Sequence, residues 1–83
     1  MYQLLYSANA QKQLKKFEKE IQGRIIVSLE RIRIRPELYV KKLVGDPGYR
    51  LRVGDYRVIL DIFQDKLIIL VIKVGHRKNV YEG

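Results

Sequence analysis

The chain has 83 residues, 47% of them apolar, and 17 Lys plus Arg against 9 Asp plus Glu give it a formal charge of +8. That apolar share argues against disorder, and the length allows one domain, 1–83, burying about 60–65% of its unfolded surface. With no cysteine and one histidine, disulfides and thiolate metal sites are excluded and a zinc site is disfavoured, so no metal or other cofactor is expected. The positive excess favours polyanionic partners, nucleic acid or ribosome.

In chain order, Tyr2 to Tyr6 is a strand candidate. The first apolar stretch is broken by Gln3, Ser7 and Asn9, so no signal-peptide core is expected. Ser7 offers a helix N-cap, because its hydroxyl can accept from the free amides of a first turn. Ala10, Leu14, Phe17 and Ile21 recur at helical spacing, with Lys12, Lys15, Lys16 and Lys19 on the solvated side. Gly23 marks either a break or the loose first turn of a second helix. Ile25, Leu29 and Ile32 continue the helical period, and Pro36 stops extension much beyond Arg33. The first half reads as a helical hairpin.

The period then changes from helix to strand. Tyr49–Val53, Tyr56–Phe63 and Leu67–Val74 read as three strands rich in Val, Ile and Tyr. The longest apolar run, Leu67 to Ile72, has six residues, against roughly 20 needed to cross a bilayer. A cytoplasmic protein with no membrane partner is therefore expected. Gly54-Asp55 suits a two-residue type II′ turn, and such short loops impose antiparallel pairing. The expected fold is α+β: an N-terminal strand and helical hairpin packed on a small twisted antiparallel sheet.

The turn at Gly54-Asp55 pairs Val53 with Tyr56, Arg52 with Arg57, Leu51 with Val58 and Arg50 with Ile59. Leu51, Val53, Tyr56, Val58, Leu60 and Ile62 then face the helices, while Arg50, Arg52 and Arg57 face away. A three-residue loop, Gln64-Asp65-Lys66, sets Lys73 opposite Arg57, with Gly75 and Arg77 on the same face. A two-residue loop instead presents Ile72, Val74 and His76 there. The first groups apolar residues together and is preferred. Like charges set opposite one another cost a few tenths to about 1 kcal/mol per pair. A fold that accepts this repeatedly is expected to hold cations for an anionic ligand, the alternative being a solvated face whose arginine stems cover apolar surface; the arginine fork matches phosphate oxygens. His76 adds a ring able to take or give a proton near neutral pH. Tyr81 adds a phenol, for stacking on a base or for proton transfer.

Three segments carry a resemblance: Lys42-Leu43-Val44-Gly45, then Tyr49-Arg50-Leu51-Arg52-Val53-Gly54-Asp55-Tyr56-Arg57-Val58-Ile59, then Val71-Ile72-Lys73-Val74-Gly75-His76-Arg77-Lys78-Asn79-Val80-Tyr81. In this order and spacing they resemble the RelE/ParE toxin superfamily, and within it the RelE-type messenger RNA interferases. The resemblance implies a RelE-like fold and a toxin silenced by a RelB-like antitoxin in a toxin–antitoxin hetero-oligomer. It also implies entry into the ribosomal A site and cleavage of mRNA there, by attack of a ribose 2′-hydroxyl on the adjacent phosphate. By position, Arg50 and Arg52 match the paired basic strand residues and Arg57 the arginine on the scissile phosphate. Arg77 matches a further phosphate contact, Tyr81 the stacking tyrosine, and His76 a position often basic in relatives. Relatives often carry lysines at the strand pair. Arginine does not release its proton, so general-base work passes to His76, Tyr81 or a ribosomal group. The sister branch, which poisons DNA gyrase, and a catalytically silent basic module that binds RNA or antitoxin are the alternatives.

Overall fold

The protein's structure, a computed structural model, describes residues 1–45 and 47–76. Strand β1 (Gln3–Tyr6) leads into helix α1 (Ala8–Lys15), and a short break precedes helix α2 (Lys19–Arg31). A 3₁₀ turn at Pro36–Leu38 follows. The remaining strands are β2 (Lys41–Lys42), β3 (Tyr49–Val53), β4 (Tyr56–Phe63) and β5 (Ile68–His76).

Ser7 caps α1 as expected, its Oγ accepting from the Ala10 amide at 3.0 Å. The helical break falls at Lys16–Glu18 rather than at Gly23, which lies inside α2. Ending α1 there lets Phe17 meet Tyr56 edge to face, with ring centroids 5.1 Å apart. Ile25, Leu29 and Ile32 then follow a second axis into the core. Gln22 Nε2 donates to the Phe17 carbonyl at 2.8 Å and ties the break together.

The strand order is β1-β5-β4-β3-β2. The β3–β4 register is the expected one, Val53 opposite Tyr56 and Arg52 opposite Arg57. Gly54 has φ 59° and Asp55 has no positive φ, the type II′ pattern. The sheet is mixed, because β1 joins β5 in parallel; the two-residue β2 extends the other edge. Leu51, Val53, Val58, Leu60, Ile69, Val71 and Val74 meet Ala10, Leu14, Ile25, Leu29 and Ile32 in one core. Each such side chain contributes roughly 1.5–3 kcal/mol through burial.

The β4–β5 register corrects the sequence expectation. The connecting loop has four residues, since Phe63 pairs with Ile68, and Arg57 lies opposite Gly75 while Lys73 lies opposite Ile59. A shift between Ile59 and Leu60 leaves Ile72 without a partner on β4, so β5 carries one extra residue, a β-bulge. Val71 and Val74 are consequently both buried although three positions apart. Without the bulge, alternation from Ile69 and Val71 carries Lys73 into the core. Helix α1 holds the irregularity. Ser7 Oγ donates to the Ile72 carbonyl at 2.7 Å, and Gln13 Oε1 accepts from the Val74 amide at 2.6 Å.

Two stability outcomes follow from this packing. Ser7→Ala removes a helix cap and strands the Ile72 carbonyl, and should cost about 1–3 kcal/mol in denaturant unfolding. A Cβ at Gly23 meets nothing within 4 Å, so Gly23→Ala should stabilise by about 0.5–1 kcal/mol in the same assay.

Candidate nucleic-acid interface

The sheet face away from the helices carries the cations. On β3 and β4 the residues facing the helices are Leu51, Val53, Tyr56, Val58 and Leu60, so alternation turns Arg50, Arg52, Arg57 and Ile59 outward. The bulge adds Ile72 and Lys73 to that face. Arg52 and Arg57 are paired across the hairpin, Arg50 pairs with Ile59, and Ile59 pairs with Lys73. Four cations from three adjacent strands thus occupy two neighbouring cross-strand rows. Strands lie about 4.8 Å apart, so β3 to β5 spans about 10 Å. Arg50, Arg57 and Lys73 are half-buried and Arg52 is exposed. Held by flanking strands, three of the four stems have little freedom left to lose when a ligand arrives.

His76 is placed differently. It pairs with Tyr56 on the helix side of the sheet, with ring centroids 5.5 Å apart in an edge-to-face contact. Phe17, Tyr56 and His76 form a run of aromatic contacts beneath the end of α1. A cleft of about 220 Å³ lies there, lined by Gln13, Lys16, Phe17, Lys73 and His76 among others. Lys73 reaches it because β5 runs past the end of β1 and leaves an open edge. His76 therefore communicates with the cationic face around that edge, not across it. Arg77 and Tyr81 lie outside the described residues.

A second cluster was not singled out from the sequence. Arg24 and Arg31 on α2, with Arg52 from β3, line a cleft of about 500 Å³ beside Gly54. The seven-residue spacing of Arg24 and Arg31 puts them on one helix face, a signal readable in the chain. Their meeting with Arg52 depends on how α2 crosses β3. Among the described residues the one ion pair is Arg33–Glu30, at 2.7 Å, so Arg24, Arg31, Arg52 and Lys73 are not neutralised by carboxylates. Burial pushes the Tyr6 phenol up, Glu30 adds to the rise, and Arg33 opposes it; this group packs on the core side, not on the face of Arg50, Arg52, Arg57 and Lys73. No group of three or more His, Asp or Glu side chains able to hold a metal occurs among the described residues. No described helix is long and apolar enough to cross a membrane.

The fold, two helices on one face of a five-stranded sheet, is shared with solved toxin structures from bacteria and an archaeon. Residues 4–81 match the family described as ParE toxin of type II toxin-antitoxin system, parDE. Among solved structures, the RelB–RelE antitoxin–toxin complex from Methanococcus jannaschii matches with TM-score 0.72 and 30% identity, covering 93% of this chain and 94% of that one. The intact E. coli RelBE toxin–antitoxin complex matches with TM-score 0.78 and 27% identity, over 92% and 96%. The toxin–antitoxin complex RelBE2 from Mycobacterium tuberculosis has TM-score 0.84 at 20% identity, over 92% and 98%, a likeness of fold. No curated protein sequence matches. The chain belongs to the RelE/ParE toxin superfamily and is the toxin of a type II toxin–antitoxin system.

Electrostatic contact with single-stranded RNA loses affinity with salt at a log–log slope near −0.7 per phosphate engaged. With Arg50, Arg52, Arg57 and Lys73 engaged, the slope should lie near −3 by that rule. Arg57→Gln should flatten it by about 0.7, whereas Lys15→Gln on exposed α1 should leave it in place. A salt-independent affinity is the result that removes this face as the contact.

Proposed function

We propose that this toxin, one domain across 1–83, is a ribosome-dependent mRNA endoribonuclease acting in the A site. The observation that carries the reading is Arg52 directly opposite Arg57, with Arg50 and Lys73 beside them. Like charges placed directly opposite one another are unfavourable by themselves, and a phosphate group between them offsets that cost.

The reaction is a transesterification within the message. A ribose 2′-oxygen forms a bond to the adjacent phosphorus, the bond to the 5′-oxygen breaks, and a 2′,3′-cyclic phosphate remains. Charge gathers on the non-bridging oxygens, where preset cations stabilise the transition state. Arg57, central on the face, is assigned to the scissile phosphate, with Arg50 and Arg52 on flanking charge. Arg77 is assigned a further phosphate contact and Tyr81 the stacking of a base. The 2′-hydroxyl proton must leave and the 5′-oxygen must gain one. Since arginine does neither, His76, Tyr81 or a ribosomal group performs the transfers. His76, at the edge cleft with Lys73, is the candidate within the described residues. The partners are a RelB-like antitoxin, acidic enough to cover the cations in a hetero-oligomer, the ribosome and mRNA. The site of action is the cytoplasm.

The match to a ParE family model supports a second reading, a gyrase poison. Expression without the neighbouring antitoxin separates the two. Primer extension on translated messages should show cuts at fixed codon positions, while DNA breakage without such cuts supports the gyrase poison. Arg57→Ala should lower cleavage about 100- to 1000-fold, the loss typical of one charge-stabilising donor, and weaken ribosome binding far less. His76→Gln with undiminished cleavage removes His76 from proton transfer. Cleavage should persist in a chelator beyond the magnesium the ribosome needs.

A further inference from the structure

Among the described residues, the carboxylate of Asp61 faces this cationic surface without a role in the reading above. Asp61 is on β4, four residues from Arg57, on the same side of the sheet. It lines a cleft of about 270 Å³ with Leu43, Pro47, Ile59, Ile72 and Lys73. Drug-sized ligands take pockets of about 300–1,000 Å³, so this one suits a single ring system. Its walls are apolar, and its polar groups are one carboxylate and one ammonium. Neither is in an ion pair, since Arg33–Glu30 is the one pair among the described residues. Asp61 is also fixed in place, because its Oδ1 accepts from the Ile62 amide at 2.9 Å. The bulge puts Ile72 and Lys73 into the cleft together. Gly48 keeps the opposite wall tight: a Cβ there would sit 3.3 Å from Leu43 Cδ1 and 3.3 Å from the Leu60 carbonyl oxygen.

We propose that this cleft reads one guanine of a single-stranded RNA whose phosphates lie on Arg50 and Arg57. The inference rests on the outer face being the RNA-binding face. Ile59, which forms part of the wall, is two residues from Arg57, about 7 Å along the strand, so a base reaches the cleft from a backbone on the arginines. Leu43, Pro47, Ile59 and Ile72 provide the apolar surfaces for the ring. Guanine alone among the four bases presents two adjacent donors, N1–H and the exocyclic amine, next to an acceptor, O6. The Asp61 carboxylate accepts from the donors and the Lys73 ammonium donates to O6, the contact lysine makes with guanine elsewhere. Uracil has a single donor flanked by acceptors and satisfies Asp61 less well. A carboxylate is repelled by phosphate, so on an RNA-binding face it is expected to read a base edge.

The test uses the full chain and fluorescently labelled hexauridine carrying one central guanosine, adenosine or cytidine, followed by anisotropy at fixed salt. Central guanosine should bind about 10-fold tighter than uridine, the discrimination expected of a good paired contact. Asp61→Asn keeps an acceptor for the Ile62 amide, and should reduce that preference below about 2-fold with the salt slope unchanged. Ile72→Ala should also erode it, and Asp65→Asn, in the β4–β5 loop, should preserve it. Equal binding of all four oligonucleotides, a preference for another base, or a guanine preference untouched by Asp61→Asn overturns the assignment. Cleavage on translating ribosomes is scored separately. Cleavage without base preference in binding sinks the guanine cleft alone, and base preference without cleavage sinks the ribonuclease reading alone.

Discussion

Two hydrogen bonds from α1 to β5 decide which residues the sheet offers to solvent. Past the end of β1, strand β5 has an open edge, and its backbone groups there need partners. Ser7 Oγ takes up the Ile72 carbonyl and Gln13 Oε1 takes up the Val74 amide. Between them sits Lys73, turned outward by one extra residue. The same hydroxyl starts the helix by accepting from the Ala10 amide. One side chain thus ties the helix start, the strand irregularity and the outward lysine together. Removal of that hydroxyl takes away both the helix cap and one of the two bonds that flank Lys73.

The two sides of the sheet meet opposite demands. The helix side is apolar and closed, with Val58, Leu60, Ile69 and Val71 fully buried. The other side concentrates positive charge where no carboxylate relieves Arg52 or Lys73. The core has to outweigh that repulsion. Roughly 1.5–3 kcal/mol per buried aliphatic side chain exceeds the cost of a like-charge pair, about 1 kcal/mol at most. Stability made on one side thus permits an electrostatically unfavourable surface on the other. An acidic protein surface and a phosphodiester backbone would each relieve the repulsion.

Arg50, Arg52, Arg57 and Lys73 make the face positive without making it uniform. Ile59 interrupts it within the row of Arg50 and Lys73, and Asp61 does so one row further along, with Ile72, Leu43 and Pro47 beside them. Charge alone attracts any polyanion, whereas such an interruption can distinguish one base from another. The cleft between Arg24, Arg31 and Arg52 extends the positive field around the β3 edge. The positive surface thus extends beyond the outer sheet face.

Much of this was legible in the chain because the signals are local. Ser7 before a helical period, Gly54-Asp55 between alternating strands, and Pro36 after a helix each act within a few residues. Since a two-residue turn sets its own register, the opposition of Arg52 and Arg57 followed from the sequence alone, as did the cationic character of that face and the family resemblance. The tertiary structure decided what depends on distant partners. The four-residue β4–β5 loop and the bulge at Ile72 moved Lys73 from opposite Arg57 to opposite Ile59, because Val71 and Val74 both had core to fill. The parallel docking of β1 on β5 left the edge that Ser7 and Gln13 close. His76 went to the helix side by packing on Tyr56, and Arg24 and Arg31 met Arg52 through a helix crossing that no local pattern encodes.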